Sequence, residues 1–442
     1  MRRTCLTIGI AAALSGCAGS GAKDPLVGFG PSPFLPEARS SLFPGIGVPR
    51  VVGWAPGAAP AAPPGFAVNR YAEHLEHPRW LLALPNGDVL AAESAAPPSR
   101  GDRTNTGIRA WVQDLLMKRV HSAVPSPDRI VLLRDADGDG VAETRTVFAR
   151  GLKSPFGMTL AGDLLYVANA DGVVSFPYQS GQTEVTGAGT RVLDLPGPPI
   201  NHHWTKNVVV SPDGAKLYAT VGSNSNIGDN GMAAEQGRAA IWEYDIASRR
   251  ARIYASGLRN PNGLDFEPTS GAMWTVVNER DEIGPDLPPD YLTRVKEGGF
   301  YGWPYSYWGQ HVDGRVKPAR PDLVATAVTP DYGLGPHTAS LGLTFYRSGA
   351  FPVRYRGGAF VGQHGSWNRQ PLNGYRVVFI PFSGGRPQTP PEVFLGGFLD
   401  AHNRIRGRPV GVVVDSRGAL LVADDVGGVV WRVTPAAPAY HP

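Results

Sequence analysis

The chain has 442 residues, 42% hydrophobic and 18% charged, with 42 Lys+Arg against 38 Asp+Glu and a formal charge of +4. So small an excess, with no Lys/Arg run, excludes a surface organised for nucleic acid or an acidic membrane. Gly 56 and Pro 42 together exceed a fifth of the residues, yet the apolar content is that of a packed protein. Disorder is excluded, and many short strands joined by tight turns are expected.

In chain order, Arg2-Arg3 and the apolar run from Cys5 to Leu14 form an export signal, too short to span a bilayer as a mature helix. Leu14-Ser15-Gly16-Cys17 has the pattern of a bacterial lipobox. Residues 1–16 are then expected to be removed and Cys17 to carry lipid, which anchors a periplasmic protein at the outer membrane. A plain secretory signal is the alternative. Either way Cys5 and Cys17 leave no thiol pair for a disulfide. Residues 17–64, rich in Ala, Gly and Pro, read as a tether and lead-in. Helical periodicity is scarce; near Arg109–Val120, Trp111, Leu115, Leu116 and Val120 share one face.

From residue 65 to 442 a hairpin template recurs: an apolar strand, a turn of the type Pro-Asn/Asp-Gly, and a second strand of Leu, Val, Ala and Tyr. It begins at Trp80, Phe156, Asn207, Asn262, Leu341 and Val410, six times in all. One four-stranded sheet cannot bury both faces alone, and radial stacking of six such sheets can. The expectation is an all-β, six-bladed β-propeller, with a pair of β-sandwiches as the alternative. Polar residues gather just before the first strand of several repeats: His202-His203, Arg259-Asn260, His337, and Arg406 with Arg408. In a propeller such positions converge at the mouth of the central channel, where ligands bind.

Several segments carry chemistry. Asp135, Asp137, Asp139 and Glu143 follow the opening spacing of a calcium loop, although Thr146 stands where the bidentate Glu belongs. His202-His203 reads as a base, a metal site or packed core; zinc is disfavoured because no Cys, further His or carboxylate completes a set. Arg259-Asn260-Pro261-Asn262-Gly263 presents a forked cation beside an amide, suited to a carboxylate or quinone oxygen. Glu279, Asp281, Glu282, Asp286 and Asp290 lie in a Gly/Pro loop that offers hard oxygens to Ca²⁺, with the carbonyls of Gly284 and Pro285 beside them. Tyr301, Trp303, Tyr305, Tyr307 and Trp308 supply flat surfaces for a planar ring. Arg369, Arg406 and Arg408 add cations late in the chain.

The segments GLRNPNGLDF, NERDEIGPD through GGFYGWP, HGSWNR and GRPVGVVVDSRGALLVADD resemble the soluble pyrroloquinoline quinone (PQQ)-dependent sugar dehydrogenases, most closely their L-sorbosone dehydrogenase-like branch. The similarity covers roughly residues 65–435. It implies a PQQ- and Ca²⁺-dependent oxidation of a small sugar or aldehyde, by hydride transfer to the quinone. His203 would be the base, while Arg259 and Asn260 contact the quinone and Arg259 stabilises charge on its oxygen. Gly284 and Pro285 would bind the cofactor's Ca²⁺ through their carbonyls, and Arg406 and Arg408 would hold cofactor carboxylates. Asp290 and Tyr301 fall near the ligands of a second calcium, and Trp303 would face the cofactor ring. The chain departs from the family's glucose enzymes at three places. His202 replaces an acidic residue, Arg369 is the nearest counterpart of their cofactor lysine, and their early cofactor glutamine has no counterpart. No C-x-x-C-H haem motif occurs, so electrons would pass to an external quinone or cytochrome. A calcium-dependent lactonase and a non-catalytic glycan- or protein-binding propeller are the alternatives on the same architecture.

Overall fold

The computed structural model describes residues 27–39, 49–98, 124–367, 369–388 and 390–436. The export signal with Cys17 and the segment Arg109–Val120 lie outside these residues. Six antiparallel four-stranded units follow one another along the chain. Their first strands are Pro78–Ala83, Met158–Ala161, Val208–Val210, Pro261–Phe266, Ser340–Phe345 and Pro409–Val414. Each first strand packs against the next, and the sixth packs against the first, so the units close a ring around an axis. This is the six-bladed propeller, and it replaces the sandwich alternative.

The second strands explain why the repeat was readable. Val89–Glu93, Met273–Val277, Ala359–Gln363 and Leu420–Asp424 are buried at every position, because each blade is covered on both faces by its neighbours. Such strands read as apolar runs and not as an alternation. The turns that link first and second strands place Gly87, Gly214 and Gly418 at φ +95°, +74° and +85°, a region that favours glycine. Apolar side chains fill the seams between blades. Trp80, Phe156 and Phe176 lie between the first two, and Tyr218, Leu264 and Tyr291 between the third and fourth. Among the described residues, helix is confined to short turns such as Pro321–Val324 and Met232–Glu235.

The ring is closed by strand exchange. Phe66–Ala72, from the start of the propeller, forms the outer strand of the last blade by pairing antiparallel with Val429–Pro435. The described part of the lead-in is not a loose tether, which corrects that expectation. Phe29–Gly30 adds a fifth strand to blade four against Gly333 and Leu334, Ala61 bridges Gly396, and Val51 bridges Ile405. The Trp54 indole donates to Asp424 Oδ2 at 2.7 Å. A segment poor in side-chain bulk still has its backbone groups, and the outer blade edges offer them partners.

One buried ion cluster shapes the loop over blade four. Arg280, fully buried, donates to Glu279 Oε2 (3.0 Å), Asp313 Oδ2 (3.2 Å), Pro304 O (2.7 Å) and Ser306 O (2.6 Å). It ties the 278–288 loop to the 303–313 loop. Removing one partner of a buried pair strands the others, at about 3–5 kcal/mol. Arg280→Met should lose that much in a urea unfolding curve; a loss under about 1 kcal/mol would mean that the two loops are held otherwise.

Candidate active site at the channel mouth

The residues that precede the first strands converge on one face. His203 Nδ1 donates to Ser223 O at 2.8 Å and to Ser223 Oγ at 3.0 Å, while that hydroxyl spends its own proton on Ser225 O at 2.7 Å. This fixes the tautomer: Nδ1 carries the hydrogen and Nε2 keeps its lone pair. Burial first, then the Arg259 charge and His202, push the imidazole well below its ordinary pKa, so it stands neutral and ready to accept a proton. The exposed His202 ring meets it edge-on at 4.9 Å.

Gly222 brings His203 to blade four. A Cβ at residue 222 would lie 2.5 Å from both His203 Cβ and Asn260 Oδ1. Gly222→Ala must therefore push the base away from the Arg259-Asn260 turn. A displacement of about 1 Å costs on the order of 10²-fold, so kcat/KM should fall that far, alongside a stability cost of about 1–3 kcal/mol from the overpacking. Undiminished activity would show that this juxtaposition is dispensable.

Arg259 is 3% exposed. It donates to Glu279 O (2.6 Å), to Asn226 O (3.2 Å) and Oδ1 (3.0 Å), and lies 3.6 Å from Asp281 Oδ2. Asn260 Oδ1 is buried with no hydrogen-bond partner among the described residues. Trp303 Nε1 donates to the same Asn226 carbonyl at 2.9 Å. Asn226 also bonds the Asp281 backbone, through Oδ1 at 2.9 Å and Nδ2 at 3.1 Å. Asn226 thus organises Arg259, Trp303 and Asp281, and the sequence reading missed it. The signal was Ser223-Asn224-Ser225-Asn226, a polar run directly after a buried strand.

The blade-four loop differs from what the resemblance implied. Gly284 O accepts from His337 Nε2 at 3.0 Å, and Pro285 O accepts from Arg369 Nε at 2.9 Å. Arg369, the counterpart of the cofactor lysine, is turned inward onto Pro285 O, Pro371 O (2.7 Å) and Asp286 Oδ1 (2.9 Å). It is a positioning residue. Asp290 and Tyr301 are not brought together. Asp290 accepts from Glu279 N (3.0 Å), Thr338 Oγ1 (2.9 Å) and Ser340 N (3.1 Å). Burial raises its pKa to about 6. The Tyr301 hydroxyl donates to Arg294 O at 2.6 Å, at the far end of the strand Pro289–Arg294. At about 3.3 Å per residue that is roughly 13 Å away, too far for one ion to share. The intervening loop, not the sequence spacing, decides this.

A second cationic cluster lies across the mouth. The buried Asp425 accepts from Arg79 Nη1 and from His364 Nε2 (2.9 Å), with His77 Nε2 3.9 Å away. Burial alone would raise the Asp425 pKa, but His364, His77 and Arg79 against it hold it well below the carboxylate range. Burial lowers both imidazoles as well, His364 to about 4, so Arg79 is the lasting positive charge of the three. Arg408 is buried, Arg406 half-buried, and Gly407 between them is pressed against the Asp424 carboxylate. The guanidinium of Arg79 also lies 5.7 Å from the Trp204 ring centre. Arg79 was not singled out by sequence, and His364 and Asp425 stood in segments that carry the family resemblance without a role of their own. A cavity of about 660 Å³ opens beside His77 and Asp425, and neither His203 nor Arg259 lines it.

Asp135, Asp137, Asp139 and Glu143 do come together, with one ligand oxygen of each within 4.8 Å of the others. They sit on the hairpin between Arg129–Arg134 and Thr144–Ala149, and Arg417 of the last blade donates to Asp135 Oδ2 at 3.0 Å.

Fold and site together define a six-bladed propeller that presents a neutral histidine base and two clusters of cations at its channel mouth. The chain belongs to the Glucose / Sorbosone dehydrogenase family, whose sequence profile matches residues 173–425. It is 28% identical over 310 residues to an uncharacterised protein of Borreliella burgdorferi, covering 66% of this chain and 79% of that one. It is 25% identical over 362 residues to the pyrroloquinoline quinone-dependent pyranose dehydrogenase of Coprinopsis cinerea, covering 67% of this chain but 48% of that protein. The chain therefore spans about half the length of that fungal relative. The holo form of the PQQ domain of the Coprinopsis cinerea pyranose dehydrogenase superposes with a TM-score of 0.67 at 22% identity, over 87% of this chain and all of that one.

Proposed function

We propose that this protein is a PQQ-dependent dehydrogenase that oxidises a small sugar or aldehyde and passes the electrons to a separate acceptor, a quinone or a cytochrome. The observation that carries the reading is His203, with Nδ1 anchored on Ser223 and Nε2 left as a base beside Arg259. Family membership and the PQQ-dependent relative support the redox class.

The residues fit PQQ, a planar tricarboxylate. Arg406, Arg408 and Arg79 would hold its carboxylates, and the orphaned Asn260 Oδ1 and Arg79 Nε show buried polar groups in want of a partner. Trp303 closes the site beside Arg259. The Gly284 and Pro285 carbonyls, which already accept from cationic side chains, do not fit a calcium ion as they stand. When bound, PQQ supplies the two-electron acceptor. His203 Nε2 takes the proton from the substrate hydroxyl, or from the hydrate of an aldehyde, and Ser223 stabilises the resulting imidazolium through Nδ1. Arg259, held rigid by Asn226 and Glu279, keeps a positive field on the reacting side without reorganising. We further propose an exported protein anchored through Cys17, with a structural Ca²⁺ on the Asp135–Glu143 hairpin.

The test is a titration of the purified protein with PQQ, with and without calcium, read by absorbance while aldoses, L-sorbosone and simple aldehydes are added. Binding followed by substrate-driven bleaching of the quinone is the expected result. No binding at about micromolar PQQ would overturn the reading.

A further inference from the structure

The oxygen atoms that would hold a cofactor calcium are occupied by this chain's own cations. Gly284 O accepts from His337 Nε2 at 3.0 Å and Pro285 O from Arg369 Nε at 2.9 Å. The neighbouring carboxylates are matched as well: Asp281 Oδ1 lies 3.2 Å from His337 Nδ1, and Asp286 Oδ1 accepts from Arg369 Nη2 at 2.9 Å. Both nitrogens of His337 thus face oxygens of the loop, and Nε2–H is aimed at Gly284 O. His337 stands at φ +55°, a left-handed backbone setting that histidine adopts more readily than most residue types. Arg259 adds a guanidinium 3.6 Å from Asp281 Oδ2.

Calcium binds carbonyl oxygen at about 2.3–2.6 Å and takes six to eight oxygens. An ion on either carbonyl would lie within about 5.5 Å of a cationic nitrogen already bonded to that same oxygen. The carboxylates of this loop are matched within the chain. Asp281 and Asp286 face Arg259 and Arg369, and Glu279 is paired with Arg280. Glu282 lies in the field of Arg315, and Asp290 accepts from Glu279 N, Thr338 Oγ1 and Ser340 N.

We infer that His337 and Arg369 replace the calcium ion at the cofactor site, so that the cofactor binds without a divalent metal on Gly284 and Pro285. This rests on the proposed function only for the identity of the cofactor. Arg369 on this reading polarises the site through Pro285 and Asp286, in place of the family's direct lysine contact.

The experiment uses the full chain carrying D137N/D139N, which silences the acidic hairpin on blade one, so that any remaining calcium binding reports the channel mouth. Calorimetry with calcium up to about 1 mM should show no saturable binding. PQQ affinity, read by quenching of tryptophan fluorescence, should differ less than about threefold between EDTA and calcium. In R369Q it should fall by at least about tenfold in EDTA. Saturable calcium binding in the D137N/D139N protein, a tightening of PQQ by calcium of threefold or more, or unchanged affinity in R369Q would each overturn the inference. If PQQ binds under neither condition the proposed function falls, and the calcium titration still decides whether the mouth takes a metal.

Discussion

Replacing His203 with alanine is expected to lower kcat by about 10²–10⁴-fold while PQQ affinity stays within about threefold of the wild type. The expectation follows from the division of labour between its two nitrogens. Nδ1 is consumed by Ser223, so within this imidazole Nε2 alone can take the substrate proton. Because burial, then Arg259, depress the imidazole pKa, the base form persists below pH 6.5, and the acid limb of kcat/KM should fall below that value. The same shift has a stability consequence of definite sign. The unfolded chain binds this proton near pH 6.5 and the folded one does not, so this group's contribution to stability rises with pH up to 6.5. An acid limb above pH 6.5, or an alanine variant within about tenfold of wild type, would remove His203 from the base role.

A large effect on stability is expected at Trp431. Its ring is fully buried on the strand that pairs with Phe66–Ala72, and Arg70 lies 5.4 Å above it. It packs edge-on against Trp54 at 5.1 Å, and its indole donates to Asp424 Oδ2 at 3.1 Å. Trp431→Ala should cost about 3–5 kcal/mol in denaturant unfolding, from the lost burial and the cavity left behind. It also takes one donor from Asp424, a carboxyl that burial already pushes up to about 6. The stability tied to protonated Asp424 is complete below pH 3.8 and is lost as pH rises through about 6, so the variant should be weakest on the alkaline side. A cost under about 1 kcal/mol would show that ring closure does not depend on this packing.

The fold was legible because each blade's first two strands are covered on both faces, which leaves an uninterrupted apolar signal around a glycine turn. The outer strands carry less of it: Arg250–Ser256 is mostly exposed and reads as a polar stretch. At the site, His203, Arg259 and Asn260 were legible through their place in the repeat. Asn226 and Asp425 were not, because they follow second strands, and polar residues after a strand are ordinary loop composition. Arg369 was legible as a cation but not in its direction, since its partners Pro285 and Asp286 lie more than eighty residues earlier. The Asp290 and Tyr301 pairing failed for a related reason. A strand, which no local spacing reveals, separates them.

The pairing of Phe66–Ala72 with Val429–Pro435 has a consequence for how the molecule is made. Among the described propeller strands only Phe29–Gly30 is made before Phe66–Ala72, the outer strand of the last blade, whose partner Val429–Pro435 is made after all the others. Phe66–Ala72 must wait, with its ladder groups unpaired, while some 360 residues are added, as the register Phe66↔Pro435 implies. Closure of the ring therefore waits until synthesis has passed Pro435. A product terminated between Asp424 and Val429 has five complete blades and presents Pro409–Val414 and Leu420–Asp424 without the outer strands that complete the sixth sheet, an open-edged species.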